Sequence, residues 1–131
     1  WLQFLGRARA ADIALVVCLN PLDEVALLSP AYRTAITEGS LPFRWLHLPM
    51  RNFGVAEYAQ PFREGVDAIA GALRAGEVVL LHCAAGMGRT GSTAACVLKR
   101  LGCSSDEALR AVRAAGSSPE SARQSGLIDT F

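Results

Sequence analysis

The sequence predicts an α/β fold in which a central, mostly parallel sheet is flanked by helices. Three short apolar stretches, at residues 12–19, 43–48 and 78–82, have the character of strands. Segments whose apolar residues have helical spacing lie between and after these strands. Because strands that alternate with helices are joined by crossover connections, this order of elements indicates a parallel or mixed sheet.

The first half of the chain contains two of the predicted strands. Residues 12–19 are rich in β-branched and apolar side chains, which is typical of a strand at the centre of a sheet, and Asn20 ends it. Residues 22–36 have helical spacing but contain Pro30, so we expect two short helices there. Residues 43–48 then alternate between apolar and polar, which predicts the second strand.

The second half contains four predicted helices and the third strand. A capping box and a proline suited to a first helical turn mark the starts of the last two helices. The predicted elements are a helix over 57–75, the strand at 78–82, and helices over 92–101, from Ser104 to about 114, and from Ser118 onward.

Length and composition limit the classes of protein to consider. With 131 residues, of which 51% are hydrophobic, we expect one domain over residues 1–131, trimmed at the N-terminus because the first residue is not Met. A net charge of +1 gives no field for nucleic acid, so we expect no such partner. No apolar run approaches the roughly 20 residues of a membrane span. We expect a monomer.

Four cysteines have no metal-ligand spacing, and we expect no metal or other cofactor. Their even number does not predict a disulfide framework in a chain with this much apolar material. We therefore expect the thiols to be reduced, and a reducing compartment, the cytoplasm, is the location that fits best. A secreted effector remains compatible with the sequence, because a reactive thiol would work once inside a host cell.

The most informative segment is the run from His82 to Gly91. It lies between the third strand and a helix, where unpaired backbone N–H groups and the helix dipole form an anion site. A cysteine begins this loop and an arginine ends it, which suggests a thiol that attacks phosphorus beside a guanidinium that binds phosphate oxygens. The loop has no Gly-Lys-Ser/Thr, which excludes a nucleotide-binding P-loop.

Cys83 followed after five residues by Arg89 and Thr90, with His82 in front, resembles the phosphate-binding loop of cysteine-dependent protein tyrosine and dual-specificity phosphatases. The position of the loop, late in the chain and after two other strands, resembles the dual-specificity branch. The resemblance runs from about residue 13 to the C-terminus. It implies a protein tyrosine phosphatase-like fold, usually with another strand or two at the start, and a phosphorylated protein as partner.

The resemblance also implies a role for each residue of the loop. Cys83 would be the nucleophile, with a thiol pKa lowered by the helix N-terminus and a nearby cation. Arg89 would bind the phosphoryl oxygens, Thr90 would donate its hydroxyl to the cysteine sulfur, and His82 would orient the loop. The phosphate-binding backbone N–H groups would come from the residues between them, with Arg89 included: Ala84, Ala85, Gly86, Met87 and Gly88.

The general acid is where the sequence departs from the family. Relatives have an aspartate some thirty residues before the cysteine, and alignment places Asn52 there. An amide cannot donate a proton at neutral pH, and losing such a group costs about 10²–10⁴ in rate. Glu57 is an alternative acid. Otherwise Asn52 is a substrate-trapping substitution, or the natural residue of a slow enzyme, or a turn residue in a misaligned loop.

Two more residues are candidates for the site. Cys18 ends the first strand at the edge of the sheet where the loop must lie, and some relatives have a redox-partner cysteine there; a small buried apolar residue is the alternative. Gln124 resembles a glutamine near the active site of relatives, although a solvated helix residue fits equally.

The sequence therefore predicts a phosphatase for phosphotyrosine, and also for phosphoserine or phosphothreonine, that acts through a phosphocysteine intermediate. A phenol needs less protonation than an alcohol, so a missing acid favours phosphotyrosine. A phosphoinositide or RNA 5′-phosphate phosphatase is the alternative enzyme. A pseudophosphatase that binds phosphoproteins is the alternative of a different class, and Asn52 is what favours it.

Overall fold

The computed structural model describes residues 1–50, 59–83, 88–116 and 128–131. In this part of the chain, helices and strands alternate over most of its length. The elements are α1 (Leu2–Ala10), β1 (Ile13–Cys18), α2 (Leu22–Leu28), α3 (Pro30–Glu38), β2 (Arg44–His47), α4 (Ala59–Arg74), β3 (Val78–His82), α5 (Gly88–Arg100) and α6 (Ser105–Ala114).

The three described strands form a parallel sheet in the order β2-β1-β3, which confirms the predicted α/β fold. Each strand ends in one row of the register, because Cys18 lies opposite both His47 and His82. The loops that leave the carboxyl ends of parallel strands lie at one edge of a sheet. This row therefore fixes the place where the site residues can meet.

Local sequence signals explain several helix boundaries. Pro30 divides the segment after β1 into α2 and α3, as predicted, and the Ser29 hydroxyl caps α3 by accepting from the Tyr32 backbone N–H at 3.3 Å. The capping box of α6 is also present, between Ser104 and Glu107. The helix predicted from residue 118 onward falls outside the described residues.

Two boundaries differ from the prediction. The first element is a helix, α1, and its alternating basic and small residues gave no clear helical pattern. Helix α5 begins at Gly88, four residues before the predicted start at 92, so Arg89 and Thr90 belong to its first turn. Glycine, serine and threonine have weak helix propensity, which is why this turn resembles a loop in the sequence.

The sheet has a core on each face, and the two cores differ in size. The large-core face contacts α4 and α5, α6 packs on α5, and the buried side chains of this core include Val17, Phe62 and Val97. The small-core face contacts α2 and α3 through Cys18, Val25 and Tyr32.

Close packing fixes α4 against the chain that follows β2. A Cβ atom at Gly65 of α4 would overlap the side chain of Leu48, which is buried. Glycine therefore allows the helix to approach this segment closely. The approach positions the chain just before residues 51–58, the region that contains Asn52.

Helix α1 packs its aromatic residues beside the small-core face. Trp1 stacks on Tyr32 with a ring separation of 4.9 Å, and Phe4 contacts Phe43 edge to face. Among the described helices, none is both long enough and apolar enough to cross a membrane.

Candidate active site

Backbone hydrogen bonds extend the sheet beyond the ends of its strands. The N–H of Leu19 donates to the carbonyl of His82 at 3.0 Å, and the N–H of Leu48 donates to the carbonyl of Cys18 at 3.0 Å. The N–H of Met50 donates to the carbonyl of Leu19 at 2.9 Å. These bonds hold the chain after each strand in place, so Cys83, directly after β3, starts from a fixed position.

Thr90 contacts the thiol of Cys83. The Thr90 hydroxyl donates a hydrogen bond to Sγ at 3.0 Å, from the first turn of α5. Cys83 is half-buried and packs against the large core. The hydroxyl can stabilise negative charge on the sulfur, which is the contact that the resemblance implies.

Arg89 lies on the same helical turn, and its side chain is only 1% exposed. Its Nη1 donates to both carboxylate oxygens of Glu24, at 2.9 and 3.1 Å, and to the carbonyl of Met50 at 2.9 Å. Its Nε is buried and has no hydrogen-bond partner among the described residues. One side of the guanidinium is thus anchored by protein, while a donor remains for an anion.

Glu24 is a site residue that the sequence analysis missed. It lies in the first turn of α2, where Asn20 also donates to it through Nδ2 at 3.3 Å. The dipole of α5 disfavours a cation in its first turn, where Arg89 lies. The carboxylate of Glu24 offsets this effect by pairing with the guanidinium. The available signal was topological: α2 follows β1, so its first turn lies at the same edge of the sheet as Cys83.

His82 takes part in a chain of hydrogen bonds on the small-core face. Trp45 Nε1 donates to the Tyr32 hydroxyl at 2.9 Å, and that hydroxyl lies 2.8 Å from His82 Nε2. Because indole can only donate, the Tyr32 hydroxyl accepts from Trp45, while the direction of its bond with His82 Nε2 depends on the histidine tautomer. Either direction is compatible with a protonated phenol beside a neutral imidazole.

Burial supports the same protonation states. It lowers the pKa of His82 to about 4, with a smaller contribution from the nearby His47 ring. It also raises the pKa of Tyr32 above its usual value, so this residue stays a phenol. His82 therefore acts as a neutral hydrogen-bonding group beside the thiol.

Cys18 is fully buried on the small-core face, where it packs with Val25 and Tyr32. Its Sγ donates to the carbonyl of Asn20 at 3.5 Å, and burial raises the pKa of the thiol. Cys83 packs against the other core, and none of the four cysteines, all of them described, forms a disulfide. A redox pairing of Cys18 with Cys83 stays a prediction.

The remaining predicted site residues lie outside the described residues. They are Asn52, Glu57, Ala84, Ala85, Gly86, Met87 and Gln124. Gly88 is described, and it is the buried first residue of α5. The described part of the chain contains no group of three or more His, Cys, Asp or Glu that could hold a metal ion.

The described residues bring a thiol, a hydroxyl donor and a buried guanidinium to the start of one helix, beside a neutral histidine. This combination can bind an oxyanion and present sulfur to its central atom. Solved structures with a similar fold include phosphatases and a phosphatase-like protein.

One similar structure is kinase-associated phosphatase with its catalytic-site cysteine replaced by serine, at 17% identity and a TM-score of 0.81, covering 97% of this chain and 72% of that one. Another is Tk-PTP in the active form, at 26% identity and a TM-score of 0.77, covering 98% and 83%. A third is the human tyrosine phosphatase-like serine/threonine/tyrosine-interacting protein. It is 19% identical with a TM-score of 0.77, and the match covers 98% of this chain and 82% of that one. A search of the curated proteins found no match.

Comparison with protein families gives the more direct result. Residues 5–126 match the family described as PTP-SAK, the Swiss Army Knife protein DSP-PTPase phosphatase domain. The match includes most of α1, so it begins earlier than residue 13, where the resemblance was expected to start. The chain belongs to this family of dual-specificity-type phosphatase domains.

Proposed function

We propose that this phosphatase domain hydrolyses phosphate monoesters, phosphotyrosine foremost, through a covalent intermediate on Cys83. The thiolate attacks phosphorus, the bond from phosphorus to the substrate oxygen breaks, and that oxygen leaves with a proton. Water then attacks the phosphocysteine, which releases inorganic phosphate and returns the sulfur as thiolate. No other reactant is needed.

The observation that carries this proposal is the state of Arg89. A buried donor without a partner costs free energy, and Nε of Arg89 is such a donor among the described residues. Its Nη1 is already held by Glu24 and the Met50 carbonyl. A phosphoryl oxygen is a fitting partner for Nε, because a guanidinium anchored in advance loses little entropy on binding.

Thr90 supports the second step. Its hydroxyl donates to Cys83 Sγ at 3.0 Å, so it can stabilise the sulfur each time negative charge develops there. Cys83 must leave from phosphorus as a thiolate when water attacks, and a hydrogen bond to that sulfur makes it a better leaving group. His82, kept neutral by its burial, would orient the start of the loop.

The acid that protonates the leaving oxygen is proposed from the sequence. Asn52 takes the aspartate position of the alignment and, as an amide, has no proton to give, so Glu57 is the candidate donor. A phenolate leaves with less help than an alkoxide, because the phenol has a pKa of about 10. The proposed preference for phosphotyrosine over phosphoserine or phosphothreonine rests on this difference.

Hydrolysis of p-nitrophenyl phosphate between pH 5 and 8 tests the proposal. We expect turnover by the natural chain, none by Cys83→Ser, and a loss of about 10²–10³ in kcat for Arg89→Lys. If Asn52→Asp gives a large gain, Asn52 occupies the acid position. Equal, Cys83-dependent rates would place the acid elsewhere, with Glu57→Gln the next variant.

The same assay can overturn the proposal. No turnover by either the natural chain or Asn52→Asp would contradict hydrolysis and favour a phosphoprotein-binding domain. Calorimetry with inorganic phosphate distinguishes that outcome from a chain that binds no phosphate. Circular dichroism of each variant provides the control for folding.

A further inference from the structure

A cleft opens beside the thiol on the small-core face. It has a volume of about 290 Å³ and borders Cys83 and His82. Its walls include Val25 and Leu28 of α2 and Tyr32 of α3. A water molecule occupies about 30 Å³ in the liquid, so the cleft has room for considerably more than one phosphoryl group.

Leu28 is an exposed apolar wall of this cleft. Its exposed fraction is 65%, and Leu27 beside it is 85% exposed. Leu28 lines the cleft, whereas Leu27 is not among its lining residues. Two neighbouring leucines of the same helix therefore differ in their access to Cys83, which provides a matched pair.

The described lining of the cleft contains no lysine, arginine, aspartate or glutamate. A substrate that carries further phosphates would find no cation on these walls. An aromatic ring gains free energy when it leaves water for an apolar surface, at roughly 25 cal/mol per Å² buried. The wall chemistry therefore suits an aryl group attached to the reacting phosphate.

We propose that Leu28 is a specificity-determining residue that contacts the aromatic ring of an aryl phosphate whose phosphoryl group lies at Cys83. This inference rests on the proposed function and deepens it. It assigns the preference for phosphotyrosine to a wall of α2, in addition to the chemistry of the leaving group.

Two phosphonates that cannot be hydrolysed test this assignment without relying on turnover. Calorimetry gives the Kd of phenylphosphonate and of methylphosphonate for the natural chain, Leu28→Ala and Leu27→Ala. We expect the natural chain to bind the phenyl compound more tightly. Leu28→Ala should weaken phenylphosphonate about three- to tenfold, since it removes three apolar carbons from a partly exposed wall. Methylphosphonate binding and the Leu27→Ala variant should stay unchanged.

The outcomes separate the two proposals. Equal affinity for both phosphonates, or equal effects of Leu28→Ala and Leu27→Ala, would overturn the role of Leu28 and leave the phosphatase proposal standing. If neither compound binds and no Cys83-dependent turnover occurs, the proposed function itself fails. Both leucines are exposed, so neither variant is expected to unfold the domain.

Discussion

The two faces of the sheet are built differently. The large-core face buries an apolar cluster that extends through three helices, and two polar side chains buried in α5, Ser92 and Thr93, bond to carbonyls of their own helix. The small-core face buries few residues, and polar contacts join them: Trp45 to Tyr32, Tyr32 to His82, and Asn20 to Glu24. The first arrangement supplies free energy of folding, since apolar burial is non-directional and large. The second fixes orientation, since hydrogen bonds contribute little net stability but have strict geometry.

The residues predicted for the site lie at the edge of the sheet that these two faces share. Cys83 packs against the large core, while the adjacent His82 bonds to Tyr32 on the opposite face. Arg89 and Thr90 start a helix of the large-core face, and Glu24 reaches Arg89 from the other side. Rigidity therefore comes from one layer and alignment from the other.

A cavity in the large core should have the largest effect on stability. Phe62 is 2% exposed and contacts Phe131 edge to face, so Phe62→Ala should cost about 3–5 kcal/mol of unfolding free energy. Urea denaturation measures this free energy.

A matched pair of valines compares the two faces directly. Val66→Ala should lower the free energy of unfolding more than Val25→Ala does, because a cavity at Val25 opens onto the cleft. Equal losses for the two valines would contradict the difference between the faces.

The second test is the pH dependence of stability that His82 imposes. Its pKa is about 4 in the folded chain and about 6.5 when unfolded, so the unfolded state binds more protons between these values. This contribution is fully present above pH 6.5 and is lost as the pH falls toward 4. We expect a loss of about 2–3 kcal/mol, measured by urea denaturation at several pH values. His82→Gln should show a flatter profile over this window, and an unchanged profile would contradict the prediction.

A smaller effect is expected from Tyr32→Phe. This variant keeps the ring that stacks on Trp1 but leaves Trp45 Nε1 and His82 Nε2 without their hydroxyl partner. The loss should be about 1–3 kcal/mol, since both groups are partly buried. Urea denaturation measures it. An unchanged free energy of unfolding would mean that the hydrogen bonds of the hydroxyl add nothing to the contribution of the ring.

The smallest expected effect is at the start of α6, on the large-core face. Ser104→Ala removes the hydroxyl that accepts from the Glu107 N–H at 3.1 Å and should cost about 1 kcal/mol. Thermal denaturation measures it, and turnover per folded molecule should not change. Glu107→Gln is the control, because an amide oxygen can still accept from the Ser104 N–H.

Local patterns were sufficient to predict much of this fold. The division of one segment into α2 and α3 follows from Pro30, and the start of α6 follows from Ser104. The parallel sheet follows from the alternation of strands and helices. The first two signals act within a few residues of chain, and the third is the order of the elements themselves. Helix α1 was missed because its residues have little apolar periodicity and its aromatic residues pack on distant parts of the chain.

The site was predictable only where it is continuous in sequence. The Cys83, Arg89 and Thr90 positions follow from one short run, but the partners that hold them lie far away. Glu24 and Arg89 are separated by 65 residues, and Tyr32 and His82 by 50. Sequence reasoning can indicate which edge of the sheet such partners reach, but the choice among polar residues at that edge depends on side-chain packing.

The exposed end of α2 has a consequence for how this domain can change over generations. Leu27 and Leu28 contribute little to the folded state, since most of their surface stays in water. If Leu28 contacts the substrate as proposed, its replacement would alter what fits beside Cys83 without unfolding the protein or moving Arg89. A lineage could then explore new substrates by varying this one residue, while selection keeps the residues around Cys83 fixed.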